Sequence, residues 1–272
     1  MDYKVNYINS EIKLSCYSGK LFKTEAAFND HLLVWLISGE TKIILADSTM
    51  VFSAECVFLI PRNQVSTIIN TPKGGLPHKA VAIHLSTARL RKFYLDKEVQ
   101  QKTMADKIIS FNQHPFFQSF LASLIPYFDL KDQFPEDIAW LKITEAISIL
   151  RTIDKKIDGI LANFEEPHKL DLVSYMEKNF MFNLPLAKFS YLTGRSLTTF
   201  KRDFRKAFNT TPQRWLTRKR LELAYYQLTE KQKRPVEVCY ETGFENLSHF
   251  SYAFKKQFGY TPTELVNNSN NY

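Results

Sequence analysis

The sequence predicts an α+β protein of two domains, a small β-barrel or sandwich continued by helices and then an all-α domain with two helix-turn-helix units. Three observations carry this prediction. Short strand-like runs crowd residues 5–86 and give way to longer helical patterns that hold a single Gly. The excess positive charge is confined to the C-terminal part, and a set of aromatic positions recurs there at a fixed interval.

Composition bounds the reading. A chain of 272 residues with 44% apolar and 24% charged residues folds around a substantial core without needing disulfides. Cys16, Cys56 and Cys239 are odd in number and contain no CxxC pair, so they form neither a disulfide framework nor a zinc knuckle. The N-terminus lacks a basic segment leading into an apolar run, and no stretch reaches the ~18 apolar residues of a membrane span. A cytoplasmic protein with no membrane partner is expected. Residues 1–168 hold 19 basic and 19 acidic side chains, whereas residues 169–272 hold 17 and 9. A neutral module joined to a basic one is the asymmetry of a sensing or assembling part attached to a part that meets a polyanion. The domains are placed at 1–162 and 170–272, with a linker at 163–169 where NFEEPHK supplies a Pro and polar residues.

From Asp30 to Pro61, runs rich in Val, Ile, Phe and Trp are broken at Ser38-Gly39-Glu40, Asp47-Ser48-Thr49 and Ser53-Ala54-Glu55. Such close spacing predicts antiparallel meanders rather than βαβ units. A further strand is read at His78 to Leu85. An interior lined by Trp35, Ile44, Phe52 and Phe58 would serve as an effector pocket or equally as a packed core. Helical patterns start near Ala88 and continue through 116–128 and 135–161. In the last of these, Trp140, Ile143, Ile147, Leu150, Ile157 and Leu161 form a heptad-like stripe, with Asp154 at one seam position. That stripe either packs on its own domain or pairs with a second chain, which would make a homodimer through helices in 105–162.

In the basic part, Phe200, Phe204, Phe208, Thr211 and Pro212 return as Phe250, Phe254, Phe258, Thr261 and Pro262, 50 residues on at every position. Two copies are too few for a solenoid and indicate a duplicated supersecondary unit. In the first copy Asn183 precedes the run Leu184 to Leu192, Gly194 breaks it, and Ser196 caps a second helix. In the second copy Pro235 starts the first helix, Gly243 breaks it and Asn246 is the cap. Short helix, Gly turn and capped amphipathic helix make a helix-turn-helix. Between the copies a helix from Pro212, carrying Trp215, Leu216, Leu221, Leu223, Ala224 and Leu228, acts as a strut. Such a strut would set the two second helices roughly 34 Å apart, one duplex turn.

Away from the phenylalanines, the first of these helices presents Thr198, Thr199, Lys201, Arg202 and Arg205, and the second Ser248, His249, Tyr252, Lys255 and Lys256. Phosphates favour Lys, Arg and helix N-termini, while base edges favour hydrogen-bonding side chains in the first turns of a helix lying in the groove. Phosphate contacts are therefore expected from Ser196, Thr199, Arg205, Asn246, Lys255 and Lys256. His249 stands either against DNA or in solvent. Lys219 and Arg220 either contact phosphate or solvate the strut.

The segment GFENLSHFSYAFKKQFGYTPTEL, Gly243 to Leu265, resembles the signature of the AraC/XylS-type transcription regulators. Its Gly-Phe turn, aromatic second helix, FKK triplet, Phe258-Gly259 stop and Thr261-Pro262 all match, and the unit from Leu184 to Pro212 fits the family's first helix-turn-helix. The resemblance implies a seven-helix DNA-binding domain reading adjacent major grooves of promoter DNA. It puts base contacts at Thr198, Lys201 and Arg202 and at Ser248, His249 and Tyr252; many members carry Arg where this chain has Tyr252. It also implies a cupin-like N-terminal barrel, RNA polymerase as a partner, activation as the mode, and a small molecule or a protein as effector. A small-molecule sensor whose barrel is the working part is the alternative function. Cupin enzymes bind metal through an HxH pair, a Glu and a further His, whereas His31, His78 and His84 lie apart. No metal, no cofactor and no enzymatic activity are expected.

Overall fold

The computed structural model describes residues 3–7, 9–19, 21–99, 107–111, 114–129 and 135–269. The chain divides into two compact units, Met1–Glu165 and Glu166–Tyr272. The first is sheet-rich and the second is helical, as the sequence predicts.

The N-terminal unit contains β1 (Tyr3–Tyr7), β2 (Ile12–Tyr17), β3 (Phe22–Ala26), β4 (His31–Ser38), β5 (Glu40–Ile44), β6 (Thr49–Ser53), β7 (Val57–Ile60), β8 (Ser66–Thr71), β9 (His78–Leu85) and β10 (Ile109–Phe111). Six strands form one sheet in the order β1-β2-β9-β4-β7-β10, and four form another in the order β3-β8-β5-β6. Pairing is antiparallel throughout the named strands. The expected meander is corrected here: β4 and β5, joined at Gly39, belong to different sheets, and most neighbours are distant in sequence. β10 is a strand inside the stretch read as helical.

Leu32, Val34 and Leu36 of β4 meet Ile43, Phe52 and Ile68 of the smaller sheet, forming one core between the sheets. From the same strand Leu33 points the other way and joins Val57, Leu59, Val81 and Ile83 against the helices. Covering both faces of β4 removes the polar positions that would otherwise alternate along it, which is why HLLVWLIS reads as a continuous apolar run.

The covering helices are α1 (Thr87–Tyr94), α2 (Pro115–Leu124) and α3 (Glu136–Ile153). The long helix predicted over 135–161 stops at Asp154, which turns extended and accepts a hydrogen bond from Lys156 N; a 3₁₀ turn (Lys155–Ile157) and the short α4 (Asp158–Leu161) follow. Arg151 makes a two-point contact with Asp158 at 2.5 and 2.9 Å, and the Tyr94 hydroxyl donates to the same carboxylate at 2.6 Å. The bend is thereby fixed. Ile143, Ile147, Leu150, Ile157 and Leu161 are all buried in this unit's own core. The seam offered for pairing with a second chain is thus occupied from within. On its outer side α3 shows Leu141, Glu145, Ser148 and Thr152, a mostly polar strip. Parts of the 105–162 span, namely 105–106, 112–113 and 130–134, lie outside the described residues.

The C-terminal unit holds α5 (Leu172–Asn179), α6 (Leu186–Leu192), α7 (Leu197–Phe208), α8 (Pro212–Thr229), α9 (Pro235–Glu241), α10 (Leu247–Phe258) and α11 (Pro262–Ser269). Seven helices among the described residues match the expected count. They enclose two separate cores. Leu172, Met176, Phe189, Phe200, Phe204, Trp215 and Leu216 make the first, and Leu221, Ala224, Leu228, Val238, Cys239, Phe244, Phe250 and Phe254 the second. The first half of α8 enters one core and the second half the other, which gives the strut its physical meaning.

Candidate nucleic-acid interface

The two helix-turn-helix units are built by the same local chemistry. Thr193 and Thr242, both fully buried, return their hydroxyls to Phe189 O at 2.9 Å and Val238 O at 2.7 Å, which closes α6 and α9. Gly194 and Gly243 then take φ of +64° and +81°. A Cβ would stand 2.4 Å from the His168 carbonyl group at the first and 2.5 Å from Met181 O at the second, so only Gly fits both the angle and the space. Ser196 Oγ accepts from Thr199 N at 3.2 Å and starts α7; Asn246 Oδ1 accepts from His249 N at 2.8 Å and starts α10. Within the run Leu184 to Leu192, α6 begins only after Pro185, and Asn183 bonds to Glu245 and Arg220. Both helices end in the left-handed region, at Asn209 and Gly259.

Phe200, Phe204, Phe250 and Phe254 are fully buried and orient the helices. Thr198, Lys201, Arg202 and Arg205 are exposed on α7, and Ser248, His249, Tyr252, Lys255 and Lys256 on α10. Thr199 is half-buried, and Ser196 Oγ donates to its hydroxyl at 3.0 Å, so these two form a capping pair. Exposed Lys206 extends the cationic face of α7, and Arg214 and Arg218 add exposed charge on α8. Tyr252 is 69% exposed, an open aromatic surface within a cationic face. The His249 ring lies 5.7 Å from that of Phe244.

Two arginines have positioning roles; the sequence leaves Arg220 open between phosphate contact and solvating the strut and marks no role for Arg195. Arg195, with only 7% of its side chain exposed, bonds Asp203, Leu170 O and Thr193 O and so ties the first turn to α7. Desolvation opposes ionisation of Asp203, but hydrogen bonds from Arg195 and Arg202 and the positive charge of Arg202 hold its carboxyl below the usual range. Asp203 therefore stays anionic and steers Arg202, which remains 65% exposed. Arg220 is half-buried and donates to backbone carbonyls, so it is a fastener of the unit rather than solvating charge. Lys219 pairs with Glu177 at 2.8 Å and lies over the Phe180 and Trp215 rings.

The proposed effector lining is not brought together. Phe52 and Phe58 stack at 4.0 Å inside the inter-sheet core, where side chains occupy the layer. Trp35 lies on the opposite face of its sheet against the helix-side core, and Ile44 is out of phase with the core-facing Ile43. Strand alternation separates them. Open space in this unit occurs instead under α2, a cleft of about 220 Å³ lined by Trp35, Val57, Phe117 and Leu121 with Glu55 and His114. His31 Nδ1 accepts from Arg62 N at 3.2 Å, and His78 Nε2 lies 2.8 Å from Thr41 Oγ1. Among the described residues no group of three or more His, Cys, Asp or Glu is placed to hold a metal, and no helix is long and apolar enough to cross a membrane.

Comparison with known proteins finds relatives of both parts of the chain. Residues 31–158 match the family described as the ExsA N-terminal regulatory domain, and residues 191–268 match a helix-turn-helix domain family. The chain is 26% identical over 236 residues to the HTH-type transcriptional regulator ExsA of Pseudomonas aeruginosa, covering 84% of this chain and 83% of ExsA. It is 27% identical over 186 residues to the virulence regulon transcriptional activator VirF of Yersinia enterocolitica, covering 66% of this chain and 67% of VirF. Among solved structures, apo ToxT from Vibrio cholerae superposes with a TM-score of 0.45 at 16% identity, over 95% of this chain and 97% of ToxT.

Proposed function

The chain belongs to the AraC/XylS-type transcription regulators, and from that membership we propose that α7 and α10 read two successive major grooves of promoter DNA to activate transcription. It is a DNA-binding transcription regulator with a regulatory N-terminal domain. VirF is a transcriptional activator, and activation is carried over as part of this proposal, with RNA polymerase as the partner it requires. Input from a small molecule or a protein is assigned to the N-terminal unit. The observation that carries the reading is the matched pair of capped helices, each anchored by buried phenylalanines and each exposing hydrogen-bonding residues in its first turns with cations farther along.

Base-reading and phosphate-holding roles are separable by experiment. Arg202→Ala is expected to cost on the order of 1–3 kcal/mol, unevenly across operator sequences, because a guanidinium aimed at a base edge discriminates. Lys255→Ala is expected to weaken all sequences alike and to flatten the slope of log affinity against log salt by about one unit. Affinities over a panel of single-base operator variants at several salt concentrations check both. Identical sequence profiles for the two variants would contradict the division of roles.

A further inference from the structure

The two turns differ by one residue. Thr193 to Ser196 spans four positions, while Thr242 to Asn246 spans five. In the longer turn Phe244 is buried in the second core, and Glu245 accepts a hydrogen bond from Asn183 Nδ2 at 2.9 Å, which links the second unit to the segment leading into the first. Asn183 Oδ1 in turn accepts from Arg220 Nη1 at 3.2 Å. The Arg220 guanidinium also donates to Phe180 O at 2.9 Å, Phe182 O at 2.7 Å and Gly243 O at 3.3 Å. From the strut helix α8, one side chain thus holds both the approach to the first helix-turn-helix and the turn of the second.

The strut helix α8 joins the two units through its backbone, and the bridge adds side-chain contacts between them. The two apolar cores are separate, and a polar cleft of about 250 Å³ beside the bridge is lined by Asn183, Gln213, Thr217, Arg220 and Glu245 with apolar residues at the start of α6 and on α8. Gly243 brings the second turn close, since a Cβ there would also lie 3.1 Å from Arg220 Nε. A planar five-donor guanidinium can serve several acceptors at fixed angles, whereas a lysine ammonium on the same stem presents a point charge.

We propose that the Arg220–Asn183–Glu245 bridge sets the relative position of the two recognition helices and so determines which half-site spacing the protein accepts. These three are positioning residues, and the proposal rests on the two-groove reading above. Each base pair added between half-sites turns the second one by about a tenth of a helical turn, so a rigid pair of helices discriminates spacing and a loosened pair does not.

The test measures full-length protein on three duplexes, with the selected spacing and with one base pair more or fewer, and on a duplex retaining only the half-site bound by α7. Arg220→Lys and Glu245→Ala are expected to reduce the spacing preference by about tenfold, the worth of one or two hydrogen bonds to a charged group. Single-half-site affinity is expected to change by less than about twofold, since the residues facing DNA are untouched. Glu245→Gln keeps an acceptor for Asn183 and is expected to retain the preference. Glu245 lies at an exposed contact, so its variant carries the test if Arg220→Lys fails to fold. An unchanged spacing preference in folded Glu245→Ala and Arg220→Lys overturns the proposal. Absence of any spacing preference in the unsubstituted protein overturns the two-groove reading itself and the proposal with it.

Discussion

Phe204→Ala is expected to destabilise the C-terminal unit by roughly 3–5 kcal/mol, the usual cost of removing a buried aromatic ring. Phe204 is fully buried at the centre of the first core, with ring centroids 5.7 Å from Phe200, 4.3 Å from Phe208 and 5.6 Å from Trp215. No other element replaces the lost ring, because the neighbouring rings are fixed on α7 and α8. A domain is typically stable by only about 5–15 kcal/mol, so most of the margin goes. The loss falls on α7, whose outer face carries Lys201, Arg202 and Arg205, and operator affinity should fall with it. Denaturation of full-length protein followed by Trp215 emission, with Trp35 and Trp140 replaced by Phe, measures the effect. A shift below about 1 kcal/mol would mean that this cluster does not anchor the recognition helix.

The second large effect is acid sensitivity of the N-terminal unit. Burial, assisted by the charge of Arg62, lowers the His31 pKa to about 3, and burial lowers that of His78 to about 4 against an opposing backbone hydrogen bond. Both pKa values are depressed in the folded state, so the unfolded chain binds protons first. Stability is whole above the ordinary histidine pKa of about 6.5 and is lost as pH falls below it. By pH 5 each residue removes on the order of 2 kcal/mol. His84, lowered by burial and by Lys13 against the pull of Asp30 and Glu11, adds in the same direction. Melts at pH 7 and pH 5 followed through Trp35 and Trp140 check this, and His78→Gln should flatten the dependence. Equal N-terminal stability at the two pH values would contradict the buried neutral histidines.

Legibility in the sequence followed the range of the interactions. The repeat, the caps Ser196 and Asn246, the breaks at Gly194 and Gly243 and the Pro starts of α8 and α9 are local events with local signatures, and they led to both recognition helices. Sheet order was not legible, because β9 pairs with β2 and β4 across long stretches of chain. Trp35 was misplaced for a related reason: β4 is buried on both faces and shows no polar phase, so nothing indicates which of its residues point between the sheets, whereas Ile44 shares its face with Glu40 and Lys42, an alternation that marks the outer side of β5. The 135–161 stripe was continuous in sequence although Asp154 bends the chain, and its burial depends on helices and strands elsewhere. Arg220 sits in an RKR run, and its partners are mainly backbone carbonyls, which leave no mark on the sequence.

If one C-terminal unit reads sequence in two successive major grooves, selection of full-length protein against a random duplex library, followed by affinities of the enriched sites across a salt series, will reveal it. The predicted result is a motif of two blocks whose centres lie about one helical turn apart, with affinity falling steeply as salt rises. Salt-sensitive binding without a motif, or a motif of a single block, would contradict it.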